Sequence, residues 1–210
     1  MIPLSKCQNV NLSDKATVNI TALHETGHLI VMYAMDMLEY FDYITIQAGD
    51  RTIEMNRGAQ YTRGLTAVTD QLYLKLQKFD DEKAEIAKNQ NTGRGKTEYY
   101  RKFKLEGAAL CLPQLCRLFG GGAICRYYGV PDEIMCSIDY ENIDKVLDED
   151  FELPGTREAF RILVDMYLKS VFESFDKLTK AIYKNLIENK TLNREQVMQI
   201  IAEWEDLQIS

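Results

Sequence analysis

Ala22-Leu23-His24-Glu25-Thr26-Gly27-His28-Leu29-Ile30-Val31 is the stretch around which the remainder of the chain takes its meaning. On a helix, residues four apart share a face, so the imidazoles of His24 and His28 can close on one metal ion. Glu25, one position on from His24, falls at the flank of that face, where a carboxylate reaches a metal-bound water rather than the metal. These are the only two histidines in 210 residues, and they stand at the spacing of the H-E-x-x-H zinc-peptidase pattern. Ala22, Leu23, Leu29, Ile30, Val31, Tyr33, Ala34 and Leu38 predict a buried helix over about Thr17 to Met37, capped by Ser13 or Asp14. Two imidazoles inside such a helix need a partner, and a divalent metal satisfies both. Gly27 lies beside His28. Glycine in a helix interior costs about 0.5–1 kcal/mol against alanine, so its position predicts the close approach of another backbone or of a substrate.

A chain of 210 residues buries one sizeable core, or a core with a helical appendage. We expect one domain over 1–210, with a catalytic part at 1–150 and a helical part at 151–210. The net charge of -7, from 25 basic and 32 acidic residues, argues against a nucleic-acid partner, because phosphate contacts need clustered Lys and Arg. Cys7, Cys111, Cys116, Cys125 and Cys136 are odd in number and mostly in apolar surroundings, as suits reduced thiols in the cytoplasm. Met1 to Lys6 has no apolar run of a secretory leader, and Leu29 to Met35 stops at Asp36, short of the ~18–20 apolar residues of a membrane span.

Downstream of the motif, Phe41 to Gln47 has the β-branched and aromatic content of a strand. Gly49-Asp50 is expected to turn the chain, and Arg51 to Met55 and Ala59 to Thr62 to add two strands around a turn at Asn56 to Gly58. Ala67 to Lys88 carries Val68, Leu72, Leu76 and Phe79 at helical spacing. Gly93-Arg94-Gly95-Lys96-Thr97 invites comparison with a phosphate-binding loop, but Gln90 stands where that pattern needs glycine, and a charged helix rather than a buried strand precedes it. A second buried helix is expected from about Phe103 to Tyr128, interrupted or restarted at Pro113 and ended by Gly129-Val130-Pro131, with Gly120-Gly121-Gly122 either packed close against the motif helix, the favoured reading, or forming a break at the site. A linker is expected at Asp150 to Gly155. Thr156 starts a long helix to about Asn189, and Asn193 with Gln196 forms a capping-box-like start for a last helix, Arg194 to Asp206. The fold class is α+β and mainly α-helical, with a small antiparallel sheet beside the motif helix and C-terminal helices as scaffold.

A catalytic zinc takes three protein ligands and keeps one open position. Both histidines are used, so the third ligand is a carboxylate or a cysteine. The extended pattern with a third histidine is excluded by Val31 and Ala34. The acidic segment Asp132 to Asp150 supplies the candidates Asp139, Glu141 and Asp144, which spacing does not separate. The reading is a zinc-dependent endopeptidase acting on peptide or unfolded-protein substrates with Glu25 as general base. Its rivals are a zinc-stabilised binding or regulatory module without useful turnover, and a peptidase subunit that needs a separate ATPase partner or a homo-oligomer. An intact Glu25 favours the enzyme, since a structural site needs no base and usually closes four Cys or His ligands.

Ala22 to Val31, the strand Ile44-Thr-Ile-Gln and the pair Gln60-Tyr61-Thr62 together resemble the peptidase domain of the FtsH family of ATP-dependent zinc metalloproteases. The similarity continues in order. Leu118 to Gly129 resembles the family's glycine-rich second helix, Ser137-Ile-Asp139 its Ser-Asn-Asp-like ligand segment, and Asn189 to Met198 its Thr-Leu-x-x-Glu helix start. By that resemblance His24 and His28 are zinc ligands, Glu25 the base and Asp139 the third ligand, in a mainly helical fold with a small sheet. A free edge near Ile44 to Gln47 is then expected to hold extended substrate by strand addition. Ile124 and Cys125 stand where the family usually carries an alanine and paired glutamates, and Leu65 to Lys104 resembles an insertion. The family's ATPase module and membrane anchor are not in this sequence, so processive ATP-driven degradation is not implied for this chain alone.

Overall fold

The computed structural model describes residues 14–52, 59–88, 96–97, 101, 107–130, 139, 142–143 and 156–209, and at its centre lies helix α1, Asp14–Ala34. Leu29, Ile30, Val31 and Met32 are four consecutive fully buried residues, so this helix is covered on all sides rather than along one stripe. Its polar interior is satisfied locally: the hydroxyls of Thr21 and Thr26 donate to the carbonyls of Thr17 and Ala22, at 2.8 and 2.7 Å. The helix ends in a Schellman motif. Asp36 takes the left-handed conformation with φ 55°, while Met37 N donates to Met32 O and Asp36 N to Tyr33 O. The helix thus starts three residues before Thr17 and stops three before Met37.

A 3-10 turn at Leu38–Tyr40 leads into β1, Phe41–Thr45; then follow β2, Gly49–Thr52, β3, Ala59–Thr62, and β4, Leu65–Val68. Helices α2, Asp70–Ala87, and α3, Gly107–Tyr127, come next. The C-terminal part holds α4, Thr156–Ser174, α5, Asp176–Asn189, β5, Thr191–Asn193, and α6, Arg194–Ile209. The structure is α+β and mainly helical. Its strands form two sheets, an antiparallel β4-β1-β5 and a separate β2-β3 hairpin. Ile44 of β1 faces Thr66 on one side and Leu192 on the other.

Four expectations are corrected. Gly49-Asp50 is not a turn but the start of β2, paired with Thr62 and Tyr61. Ala67 and Val68 end a strand, Leu65–Val68, rather than starting the helix, because pairing with β1 claims their backbone before α2 begins at Asp70. The helix of 107–127 continues through Pro113, since the buried residues Leu115, Cys116, Leu118 and Phe119 that follow hold it against α1 despite the missing N–H. The helix expected from Thr156 to Asn189 is two helices. They meet at Phe175, φ -110° and ψ 23°, whose ring packs edge-on to Tyr33 and Trp204 at 5.2 and 5.6 Å. The turn at Asn56 to Gly58, the loop glycines Gly93 and Gly95 and the linker at 150–155 lie outside the described residues.

The capping box formed as expected, with Gln196 N donating to Asn193 Oδ1 and Asn193 N to Gln196 Oε1, at 2.9 and 3.0 Å. Cys116 and Cys125 are buried reduced thiols, and burial pushes Cys116 up to about 11. Leu168, Phe172, Leu178, Ile182, Leu186 and Leu192 carry the C-terminal helices and β5 into the same core as α1. Among the described residues, no helix is long and apolar enough to cross a membrane.

Candidate metal centre

Helices α1 and α3 cross at glycine. A Cβ on Gly27 would stand 2.4 Å from Gly120 O, and one on Gly120 would stand 2.8 Å from Gly27 O, so only paired glycines allow the two backbones this contact. The approach is what brings α3 onto the histidines. A Cβ on Gly121 would meet His24 Cε1, Nε2 and Nδ1 at 2.4–2.6 Å, so the His24 ring lies directly on the α3 backbone. His28 Nδ1–H donates to the Arg117 carbonyl at 2.7 Å, which fixes the ring and turns the lone pair of its Nε2 towards His24.

Asp139 completes the cluster from outside both helices. Its Oδ2 is 3.0 Å from His24 Nε2 and 3.2 Å from His28 Nε2, and the two Nε2 atoms are 3.0 Å apart. Among the described residues, His24, His28 and Asp139 are the group able to hold a metal ion. The donor set itself asks for a cation, since a carboxylate oxygen and two ring nitrogens converge where one proton cannot serve all three. Their spacing suits a divalent ion with tetrahedral ligands, which at about 2.0–2.1 Å from the ion lie roughly 3.3 Å from each other, close to the triangle seen. Burial lowers the His28 pKa, but the charge and hydrogen bond of Asp139, with help from Glu25, outweigh it and raise the value above 6.5. Burial likewise pushes Asp139 up, and is overcome by the charge on His28 and the hydrogen bonds from both imidazoles, which hold it well below the usual carboxylate range.

Glu25 is 7% exposed and sits on the sheet side of α1. Thr66 of β4 shares its hydroxyl proton between the Glu25 carbonyl and Oε2, each at 2.9 Å. Gly64 lies against the other carboxylate oxygen, where a Cβ would be 2.9 Å from Oε1. A buried carboxylate held on one oxygen and crowded by backbone on the other has a fixed direction, which a proton acceptor needs.

The structure therefore brings together His24, His28 and Asp139 with Glu25 beside them, while Glu141 and Asp144 lie outside the described residues. Thr66, Gly64 and the Arg117 carbonyl went unseen in the sequence, where a threonine in a short strand and a backbone oxygen give no signal of their own. The free edge expected near Ile44 to Gln47 is absent. Ile44 and Thr45 are paired on both sides, and Ile46 N donates to Lys190 O, so the outer strands of that sheet are β4 and β5. No protein-family model matches the chain, and no curated protein matches it either.

Proposed function

We propose that this chain is a zinc-dependent endopeptidase, similar in plan to the FtsH peptidase domain, acting on peptide or unfolded-protein substrates. The observation that carries the reading is a base, Glu25, buried and oriented by Thr66, on the same helix as two of three convergent metal donors. His24, His28 and Asp139 would hold the ion. Bound zinc supplies Lewis acidity towards a scissile carbonyl and lowers the pKa of water to about 7. Glu25 accepts the proton of the attacking water and returns it to the leaving amine, and Thr66 keeps the accepting oxygen aimed while this happens. His28 stays in one tautomer through its bond to Arg117 O. Outer strand β4 borders Glu25, so an extended peptide lying along it passes the base.

The test uses two substitutions. Glu25→Gln removes the base and no ligand, so zinc stays stoichiometric and peptide cleavage falls to background; cleavage at the parental rate refutes the assignment. Asp139→Asn is expected to lower zinc content and cleavage together, and full zinc content in that variant removes Asp139 from the ligand set.

A further inference from the structure

Arg117 of α3 carries a charge that the fold buries without pairing it. The residue is 8% exposed, and among the described residues its side chain makes one hydrogen bond, from Nε to the neutral Gln114 Oε1 at 3.0 Å. None of the ion pairs among the described residues includes it. A guanidinium cannot escape the cost of burial by losing its proton, and arginine is almost never buried unless paired. Its two Nη groups keep an opening to the outside. The side-chain atoms sealed from solvent without a partner are Thr69 Oγ1, Arg161 Nε and Thr179 Oγ1 among the described residues, and no nitrogen of Arg117 is one of them.

This charge stands at the border of the metal centre. The Arg117 carbonyl accepts from His28 Nδ1 at 2.7 Å, and one turn on, along the same face of α3, Gly121 carries the His24 ring. The guanidinium is near enough for its charge to act on His28, against Asp139 and Glu25. Glu25 borders the donors from the sheet side, on Thr66 of β4, and Arg117 borders them from α3. With a divalent ion bound, the carboxylates of Asp139 and Glu25 cancel its two charges and the Arg117 charge is left over. One singly charged anion balances the site.

We propose that Arg117 is a specificity-determining residue that takes a carboxylate of the bound peptide, from an acidic side chain near the scissile bond or from the chain end. The inference rests on the peptidase reading and adds the class of substrate to it. The parallel N–H groups of a guanidinium fit the two oxygens of a carboxylate, and carboxylates are the anions an unmodified peptide offers. Before substrate arrives the charge is uncompensated, so its neutralisation contributes to binding the right peptide and is absent for a neutral one.

The experiment uses short N-acetylated peptides ending in an amide, with a single Glu moved along a neutral sequence. Two references are the same sequence with Gln in place of Glu, and that neutral peptide ending in a free acid. Cleavage is measured with the zinc-loaded chain, and binding by calorimetry with zinc-loaded Glu25→Gln, each with Arg117 intact and as Arg117→Met, which keeps the aliphatic stem. With Arg117 intact, one Glu position or the free acid should exceed the neutral amide about 10- to 100-fold, the range for hydrogen bonds to charged groups, and in Arg117→Met the two should be about equal. A Glu preference assigns the carboxylate to a side chain, a free-acid preference assigns it to the chain end, and either upholds the proposal. Neither preference with Arg117 intact, or either surviving in Arg117→Met, overturns it. Ligand-free Arg117→Met should melt at or above the wild-type temperature, because an uncompensated charge has gone; a Tm several degrees lower reveals a partner inside the protein and also overturns it. Peptide binding without cleavage by wild type defeats the peptidase reading and leaves the binding ratios to decide this inference, whereas cleavage without a carboxylate preference defeats this inference alone.

Discussion

Gly121→Ala is the sharpest perturbation of the metal centre, because it leaves every proposed ligand in the sequence. The added Cβ would stand 2.4 Å from His24 Cε1, and ordinary contact begins at 3.4 Å, so the imidazole must retreat by about 1 Å or the helices must part. Neighbouring contacts oppose parting, because Gly120 and Gly27 already hold the two backbones together. Metal–ligand distances tolerate about ±0.2 Å, so a shift near five times that size takes Nε2 out of the donor triangle. Zinc affinity should drop at least about 100-fold, and overpacking should cost roughly 1–3 kcal/mol of stability. A competitive chelator titration reads the affinity, and thermal melts of Gly121→Ala in wild-type and His24→Ala backgrounds read the clash. Since His24→Ala removes the ring, the stability cost of Gly121→Ala should largely vanish in the double variant. Wild-type zinc affinity in Gly121→Ala, or an equal cost in both backgrounds, refutes the packing of His24 on α3.

Thr66→Val keeps the branched shape and deletes the donor to Glu25, so kcat/KM for peptide cleavage should fall about 10-fold with zinc content unchanged, and an unchanged kcat/KM removes Thr66 from the mechanism. Zinc competes with the proton on His28, so apparent zinc affinity should fall as pH drops through that raised pKa. In the metal-free protein, the His28 contribution is complete below its ordinary 6.5 and is lost as pH rises through the raised folded value. The Asp139 contribution is complete above its ordinary 3.8 and is lost as pH falls towards its lowered folded value. Metal-free Tm should therefore peak between those two ordinary values and decline as pH rises through the raised His28 value, while the zinc-loaded form does not decline; a flat metal-free profile contradicts the network. Lys190, held at φ 67° after α5, is a candidate for glycine: Lys190→Gly should raise Tm by a few degrees, about 2–4 °C per kcal/mol of strain relieved, and a lowered Tm counts against strain there.

The spacing of His24, Glu25 and His28 carried the site because all three lie on one helix, where sequence separation converts directly into angle. Asp139 came only through likeness to a family, since three acids in one segment are equivalent until the chain folds back. Thr66 could not be found at all: its role arises from β4 pairing with β1 and lying over α1, and those contacts span tens of residues. The same pairing turned Val68 from an apparent helical position into the end of a strand. The glycine run was read correctly because three successive glycines in an apolar helix have few uses besides close approach. The break at Phe175 was not, because the apolar spacing runs on through it and only the rings of Tyr33 and Trp204 give that residue a reason to leave the helix.

Strand β5, residues 191–193, has a consequence for the order of events during synthesis. Strand β1 has β4 on one side, but its other side waits for Leu192, which leaves the ribosome after nearly all the site residues have been made. At roughly 5–20 residues per second, the 125 positions from Thr66 to Thr191 impose a delay of many seconds. Throughout that interval the strand carrying Thr66 belongs to a two-stranded ribbon, which is marginal by itself in water. A nascent chain would thus hold His24, His28 and Glu25 before Thr66 could be held firmly against Glu25, and the hydrolase proposed above would stay unarmed on the ribosome beside other unfolded chains.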